Sequence, residues 1–285
     1  MKIVETAGEM QEYSESLRRK GRRIAFVPTM GYLHPGHLRL LEEGKKRGDC
    51  SVLSIYVNPT QFGPQEDLDK YPRDFDRDEK CAAGVGCDII FYPSSAQMYP
   101  EHYQTYITVE EVSNNLCGLS RPGHFRGVAT VCAKLFNIVK PHAAIFGKKD
   151  FQQLTVIRRM VKDLNMDLEI VGIPTVREAD GLAMSSRNTY LKDYERESAL
   201  SLCKSLKLAA GLYDKGEQHT AVIIERVETF IRTHSHTAID YVSICDTTTM
   251  KDIGEIEGEA VLALAVRVGA TRLIDNHVFG EPIDW

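Results

Sequence analysis

The feature that most constrains the fold is an alternation of short apolar segments with longer amphipathic ones over the first two thirds of the chain. Five apolar segments are short, continuous and β-branched, at residues 24–27, 52–57, 88–92, 143–146 and 168–173. Four helix-like segments separate or flank them, at residues 36–47, 74–84, 127–139 and 151–165. Continuous apolar strands are typical of a sheet covered on both faces. Strands alternating with helices therefore predict an α/β domain with a mainly parallel sheet and right-handed crossovers.

The pattern changes near residues 176–190, where a polar stretch interrupts the alternation. Two helical stretches follow, at residues 193–215 and 220–234, and then three strand-like segments, at 239–244, 260–266 and 271–274. We therefore expect two domains: residues 1–175 form the larger α/β domain, and residues 176–285 form a smaller α+β domain. The smaller one is expected to act as a lid.

Charge and composition exclude several classes of protein. The chain has 285 residues with 35 Lys and Arg against 40 Asp and Glu, a formal charge of −5, so nucleic-acid binding driven by charge is not expected. No apolar run approaches the roughly 18 residues of a membrane span, and the N-terminal residues show no apolar stretch of the signal-peptide type, so neither segment is expected. Seven scattered cysteines without a Cys-x-x-Cys pair predict free thiols in a reducing compartment rather than a disulfide or zinc framework. These features predict a cytoplasmic protein.

The first polar cluster directly follows the strand at 24–27 and reads PTMGYLHPGH. Gly31 and Gly36 allow tight turns, and His34 and His37 lie three residues apart where a helix can begin, so they share one side. The unpaired N–H groups and the dipole of a helix start favour a phosphate there. Two alternatives stay open: the histidines cap or pack the helix, or they bind a metal, although no nearby Cys or acidic residue completes a standard ligand set.

Three further clusters follow strands or the domain boundary. The segment VNPTQFG, residues 57–63, places Gln61 beyond a strand end, where an ordinary loop glutamine is the alternative. The segment GKKDFQQ, residues 147–153, brings lysines to a strand end; Asp150 with Gln153 also fits a capping box. The segment MSSR, residues 184–187, combines hydroxyls with a guanidinium and suits an anion, or else a capping serine pair beside a solvated arginine.

Taken in order, PTMGYLHPGH, VNPTQF, GKKDFQQL and DGLAMSSRN resemble the pantothenate synthetase (pantoate–β-alanine ligase) family. His34-Pro35-Gly36-His37 also resembles the HxGH signature of the nucleotidylyltransferase superfamily, which implies a Rossmann-like domain. The likeness runs from about residue 24 to residue 190. One departure stands out: the family usually has Gly-Glu-Lys-Asp where this chain has Gly-Lys-Lys-Asp, so the family lysine matches Lys149, and Lys148 replaces an acidic residue.

The resemblance implies that pantoate reacts with ATP to give pantoyl adenylate and pyrophosphate, and that β-alanine then displaces AMP to give pantothenate. It implies Mg²⁺ accompanying ATP, with no metal site built by the protein, and a homodimer. It assigns His37, His34 and Lys149 to catalysis, and Gln61 and Gln153 to pantoate and β-alanine. The implied ATP-binding residues are Met30, Gly31, His34, Gly36, His37, Gly147, Lys148, Lys149, Asp150, Val176, Met184, Ser185, Ser186 and Arg187.

Two other functions fit parts of the same pattern. Another nucleotidyl transfer, to a phosphorylated acceptor, would keep the histidine pair without needing Gln61 and Gln153. A non-catalytic nucleotide-binding protein would bind without turnover. The segment SRPGHFRG, residues 120–127, is basic and opens a predicted helix; it either approaches the reacting groups or is a solvated loop.

Overall fold

The structure, a computed structural model, describes residues 1–64 and 66–283. Within these residues the strands, numbered in chain order, are β1 Lys2–Val4, β2 Ile24–Thr29, β3 Cys50–Ile55, β4 Ile89–Phe91, β5 Ala143–Gly147, β6 Glu169–Ile173, β7 Thr237–Asp246, β8 Ala260–Val268 and β9 Thr271–Val278. The helices are α1 Ala7–Arg19, α2 Pro35–Lys45, α3 Phe75–Gly84, α4 Ser95–Met98, α5 Cys117–Ser120, α6 His124–Val139, α7 Phe151–Asp163, α8 Arg196–Ala199, α9 Ser201–Tyr213 and α10 Thr220–Arg232.

The chain divides into two compact units. Unit 1 contains residues 1–110, 121–148 and 156–174, and unit 2 contains residues 111–120, 149–155 and 175–285. The chain therefore passes between the units several times, and helix α7 begins in unit 2 and continues in unit 1. The assignment of residues 176–285 as a lid stays a prediction, and residues 284 and 285 lie outside the described part of the chain.

Unit 1 is built on a six-stranded sheet in the order β1-β4-β3-β2-β5-β6, and every pairing in it is parallel. The predicted α/β class with a parallel sheet is confirmed. Strand β3 is buried along its whole length, as expected for a strand covered on both faces. The strand order reverses between β2 and β5, so the polar clusters at the carboxyl ends of β2, β3 and β5 surround the point where open α/β sheets bind ligands.

Two elements at the start of the chain are missing from the sequence prediction, namely β1 and α1. Strand β1 has only three residues, two of them exposed, so it lacks the apolar run that marks the other strands. Strand β3, Cys50–Ile55, begins and ends two residues before the predicted segment 52–57.

Unit 2 contains a three-stranded antiparallel sheet in the order β7-β8-β9. Helices α9 and α10 pack on it around a core that includes Leu206, Val227 and Leu264. The predicted α+β character is confirmed, and the helical stretch predicted at 193–215 is present but divided into shorter elements. The chain forms a 3-10 turn at Asp193–Glu195, then α8 and α9. The buried Glu195 accepts a hydrogen bond from the Lys192 backbone N–H at 3.0 Å, which closes the turn before the helices.

All seven cysteines are free thiols in this structure. Among the described residues, no helix is long and apolar enough to cross a membrane.

Candidate functional site

The loop between β2 and α2 carries the histidine pair. Pro35 is the first residue of α2, where a proline costs no hydrogen bond, and His34 precedes it in an extended conformation. The His34 and His37 rings stack with centroids 3.9 Å apart. The His34 backbone N–H donates to Nδ1 of His37 at 3.4 Å, and that bond assigns the proton of the neutral His37 ring to Nε2. Both imidazoles therefore sit at the positive end of α2, as predicted.

The turn before the histidines is held by a buried carboxylate. Gly31 and Tyr32 both have positive φ, 84° and 51°, so this turn needs outside support. Asp78, 1% exposed, supplies it: its two oxygens accept hydrogen bonds from the N–H groups of Tyr32 at 2.7 Å and Leu33 at 2.6 Å. Burial raises the pKa of Asp78, although the two N–H groups and the nearby Arg77 oppose that shift.

A cleft of about 530 Å³ opens beside this turn within unit 1. It follows the carboxyl ends of β1 to β4 and its lining includes Met30, Gly31, Tyr56, Asp78 and Tyr92. The lining mixes aromatic faces with carboxylate, hydroxyl and amide groups, a combination that is typical of a small-molecule site. The end of the central strand β2 is therefore open to a ligand.

Gln61 is oriented by its neighbours rather than left as a free loop side chain. Asn58, 1% exposed, donates from Nδ2 to Oε1 of Gln61 at 3.0 Å and to the Gly127 carbonyl at 3.2 Å. The Asn58 oxygen accepts from Tyr99 Oη at 2.9 Å and Thr60 Oγ1 at 2.9 Å. Because these partners fix which end of the Asn58 amide is which, Gln61 must turn its oxygen to Asn58. Its Nε2 lies 3.3 Å from the Met30 sulfur and is available to an acceptor on a ligand.

The basic segment at 120–127 packs against the short turn Pro59–Gln61, which contains Gln61. His124 Nδ1 lies 2.8 Å from the Gln61 carbonyl, and a guanidinium nitrogen of Arg121 lies 3.3 Å from it. Arg121 also forms a two-pronged ion pair with Glu66, at 2.5 and 2.7 Å. Burial raises the pKa of Glu66, but the Arg121 hydrogen bond and charge outweigh it and the pKa is lowered overall. Arg121 and His124 thus hold the Gln61 turn in place through its backbone carbonyl.

The third cluster forms the start of α7. Gly147 is the last residue of β5, and Lys148, Lys149 and Asp150 form a 3-10 turn that leads into the helix. The capping box predicted as an alternative for Asp150 and Gln153 is not formed: within residues 1–64 and 66–283 neither side chain makes a hydrogen bond to the helix start. The Lys149 ammonium likewise makes no hydrogen bond or ion pair within those residues.

The fourth cluster follows a short hairpin in unit 2. The hairpin pairs Val176 with Met184 through an N–H···O bond of 2.9 Å and Arg177 with Ala183 as an isolated bridge. Ser185 then accepts a hydrogen bond from the Arg187 N–H at 3.2 Å and caps the 3-10 turn Ser186–Tyr190. The capping alternative is confirmed for Ser185, and its hydroxyl hydrogen is left to donate.

The hairpin is anchored by a buried ion pair. The Arg177 guanidinium donates to both oxygens of Asp275, at 2.6 and 2.9 Å, and also to the Gly181 carbonyl. The two side chains are 6% and 1% exposed. A two-pronged, fully buried pair of this kind fixes both position and angle. It therefore sets where the chain enters the Met184–Arg187 segment.

The predicted residues fall into two sets. Unit 1 brings together the β2–α2 loop with His34, Gly36 and His37, the contact between Met30 and Gln61, and the end of β5 at Gly147 and Lys148. Unit 2 holds the others: Lys149, Asp150, Gln153, Val176, Met184, Ser185, Ser186 and Arg187.

Sequence reasoning missed the residues that orient these side chains, above all Asp78, Asn58, Arg177 and Asp275. Asp78 is one of several acids at the start of α3, and nothing in the local sequence distinguishes it. Asn58 had a signal, since it lies at a strand end directly before a proline, where its amide is free to bond locally. The part of the chain that the structure describes has no group of three His, Cys, Asp or Glu side chains placed to hold a metal ion.

Known proteins similar to this chain agree with one another. The family model described as pantoate-beta-alanine ligase matches residues 2–278. A curated protein named pantothenate synthetase from Syntrophus aciditrophicus is 68% identical over 284 residues, covering 100% of this chain and 99% of that protein. The crystal structure of pantothenate synthetase from Thermus thermophilus superposes with a TM-score of 0.92 at 42% identity, covering 97% of this chain and 99% of that one.

A third similar protein has ligands in its structure. It is pantoate-beta-alanine ligase from Francisella tularensis, described as complexed with beta-gamma ATP and beta-alanine. It superposes with a TM-score of 0.80 at 32% identity, covering 98% of this chain and 97% of that one.

Proposed function

This chain belongs to the pantoate–β-alanine ligase family and is a ligase, and on that premise we propose that it uses ATP to join pantoate to β-alanine through a pantoyl-adenylate intermediate. The observation that carries the proposal is the stacked pair of His34 and His37 at the N-terminus of α2, beside the carboxyl end of the central strand β2. This arrangement suits a polyphosphate whose charge increases during reaction.

The proposed chemistry has two steps. A carboxylate oxygen of pantoate attacks the α-phosphorus of ATP, the bond from that phosphorus to the bridging oxygen breaks, and pyrophosphate leaves. The amine of β-alanine then attacks the activated carbonyl, loses a proton and expels AMP. Both steps bring like charges together or develop new charge, so positioning and electrostatic stabilisation supply most of the rate enhancement.

Roles in binding ATP and pantoate are proposed for several residues of unit 1. His34 and His37 donate to the phosphate oxygens, and His37 does so from the Nε2 that its contact with His34 leaves protonated. Gln61 donates from Nε2 to a pantoate oxygen, because Asn58 already occupies its Oε1. Met30, Gly31, Gly36, Gly147 and Lys148 are proposed to line the nucleotide site.

The remaining roles are proposed for residues of unit 2. The Lys149 ammonium, which has no partner within residues 1–64 and 66–283, neutralises the α-phosphate and the approaching carboxylate. Ser185, Ser186 and Arg187 hold the β- and γ-phosphates, on a segment anchored by the Arg177–Asp275 pair. Asp150, Val176 and Met184 contact the nucleotide, and Gln153 bonds pantoate.

Magnesium is proposed to enter bound to ATP. The described residues offer no cluster of carboxylates that would hold the ion by themselves, and Mg²⁺ is commonly bound through substrate phosphates with few protein ligands. No step above depends on a protein-built metal site. We also propose, from the family resemblance, that the protein is a cytoplasmic homodimer.

The direct test is product analysis with ATP, Mg²⁺, pantoate and β-alanine. We expect AMP and pyrophosphate in equal amounts with pantothenate, and we expect pantoate alone to support exchange of labelled pyrophosphate into ATP. Replacing pantoate by an acid without its hydroxyl groups is the control, and it should slow the exchange because Gln61 loses an acceptor.

Two outcomes would contradict this mechanism. Release of ADP and phosphate would show an acyl phosphate in place of the adenylate. Pantothenate formation without any pantoate-dependent exchange would show that no adenylate forms before β-alanine binds.

A further inference from the structure

Strand β9 carries, at two successive positions, the contacts that hold the two proposed phosphate-binding segments of unit 2. Asp275 binds Arg177 of the hairpin that leads into Ser185–Arg187. Asn276 donates from Nδ2 to the backbone carbonyl of Lys149 at 2.7 Å. Successive side chains of a strand point to opposite faces, so one short piece of β9 holds one segment on each face.

The Asn276 contact is suited to holding the backbone of Lys149 in place. Asn276 is 8% exposed, and its bond to Lys149 spans 127 residues of sequence. Its partner lies in the 3-10 turn Lys148–Asp150, directly before α7 begins. The Lys149 side chain leaves the same residue whose carbonyl is held. A shift of the turn would therefore carry the ammonium with it.

The neighbouring residue makes the anchor itself rigid. Asp275 accepts the Asn276 backbone N–H at 2.9 Å on the same Oδ1 atom that accepts from Arg177. Strand β9 is also paired with β8 along its full length. The amide that holds Lys149 thus projects from a paired strand and not from a loop.

We propose that Asn276 is a positioning residue for the ligase reaction, which acts by holding the Lys149 turn so that the ammonium meets the α-phosphate. This inference rests on the proposed role of Lys149. A displacement of about 1 Å in a catalytic group can cost on the order of 100-fold in rate. Asn276 makes no direct contact with substrate in this account.

The test is a double-mutant cycle of Asn276→Ala and Lys149→Ala. We expect Asn276→Ala to lower kcat and the pyrophosphate exchange rate by about 10- to 100-fold while the KM for β-alanine stays within about twofold. In the Lys149→Ala background, adding Asn276→Ala should change the residual rate by less than about twofold, because the group that it positions is gone. Residual rates are measured by accumulation of labelled pantothenate over hours.

A purely structural role predicts a different pattern. It would give the same fold-loss in both backgrounds, and that result overturns the inference. Wild-type rates for Asn276→Ala, with Lys149→Ala strongly impaired, also overturn it. Wild-type rates for Lys149→Ala would instead remove the proposed role of Lys149, so the two failures are distinguishable.

A second variant covers the case in which Asn276→Ala does not fold. Asn276→Asp has nearly the same shape but removes the donor and faces the Lys149 carbonyl with an acceptor. A folded Asn276→Asp protein, checked by circular dichroism, is expected to show the same loss in exchange and the same insensitivity in the Lys149→Ala background. Full exchange activity in this variant would contradict the proposal equally.

Discussion

Asp78 shows how much of the loop between β2 and α2 can depend on one buried carboxylate. It stabilises two consecutive residues of positive φ, Gly31 and Tyr32, by accepting the N–H groups of Tyr32 and Leu33. A Cβ added at Gly31 would lie 2.9 Å from an Asp78 oxygen and 2.9 Å from Ile55, so the loop and the carboxylate fit closely. The histidines of α2 follow this turn directly.

The first prediction concerns Asp78→Asn. The amide keeps one acceptor and sets an NH₂ donor against the second N–H, so we expect a loss of about 1–3 kcal/mol in the free energy of unfolding. The shifted loop should also raise the KM for ATP severalfold. Urea unfolding and steady-state kinetics measure these effects. Asp76→Asn is the control, because Asp76 is an exposed acid in the same first turn of α3; equal effects in both variants would contradict the role of Asp78.

At the scale of elements, the close approach of α6 to the turn Pro59–Gln61 decides where Gln61 lies. A Cβ at Gly127 would overlap the Thr60 carbonyl oxygen and would lie 2.6 Å from the Gln61 nitrogen. Both are backbone atoms, so a side chain there must push the elements apart. The Asn58 amide bridges the same two elements. The packing of α6 against this turn therefore also determines the orientation of Gln61.

The second prediction compares Gly127→Ala with Gly211→Ala. Gly211 lies inside α9 with no atom within 4 Å of an added Cβ, so alanine there should be neutral or stabilise by about 0.5–1 kcal/mol through helix propensity. Gly127→Ala should destabilise by about 1–3 kcal/mol through overpacking and raise the KM for pantoate more than that for β-alanine. Thermal unfolding and substrate titrations measure both. A stable Gly127→Ala protein with unchanged pantoate kinetics would show that the turn can shift without harm.

At the scale of the whole molecule, each unit contains a histidine whose pKa is lowered by folding. Burial, with the charges of Arg18 and Arg23, lowers the pKa of His142 in unit 1, whose Nδ1 accepts the Ile24 N–H at 2.9 Å. Burial lowers the pKa of His277 in unit 2. Both rings take up protons more readily in the unfolded chain, whose histidine pKa is about 6.5. Their contribution to stability is full above that value and is lost as the pH falls below it.

The third prediction follows from that linkage. The urea midpoint of unfolding should fall between about pH 7.5 and about pH 5.5, on either side of the unfolded histidine pKa. Part of the fall should disappear in the double variant His142→Asn, His277→Gln, in which neither residue titrates. The asparagine oxygen can replace Nδ1 as the acceptor for Ile24. His102→Asn, at a histidine side chain that is 83% exposed, should keep the wild-type pH dependence. An unchanged slope in the double variant would show that other groups cause the fall.

The sequence by itself predicted the α/β sheet, the α+β character of the C-terminal part and the four polar clusters, because apolar periodicity and turn residues are local properties. Proline and glycine at 35 and 36 are enough to predict where α2 begins and why His34 and His37 share a side. The tertiary structure decided what orients those clusters. Three of the four residues that do this act over a long sequence distance: Asp78 over 46 positions, Gly127 over 66 and Asn276 over 127. Only Asn58 acts locally, on Gln61 three positions away. A local pattern does not reveal the long-range contacts, because packing in space decides which residues meet.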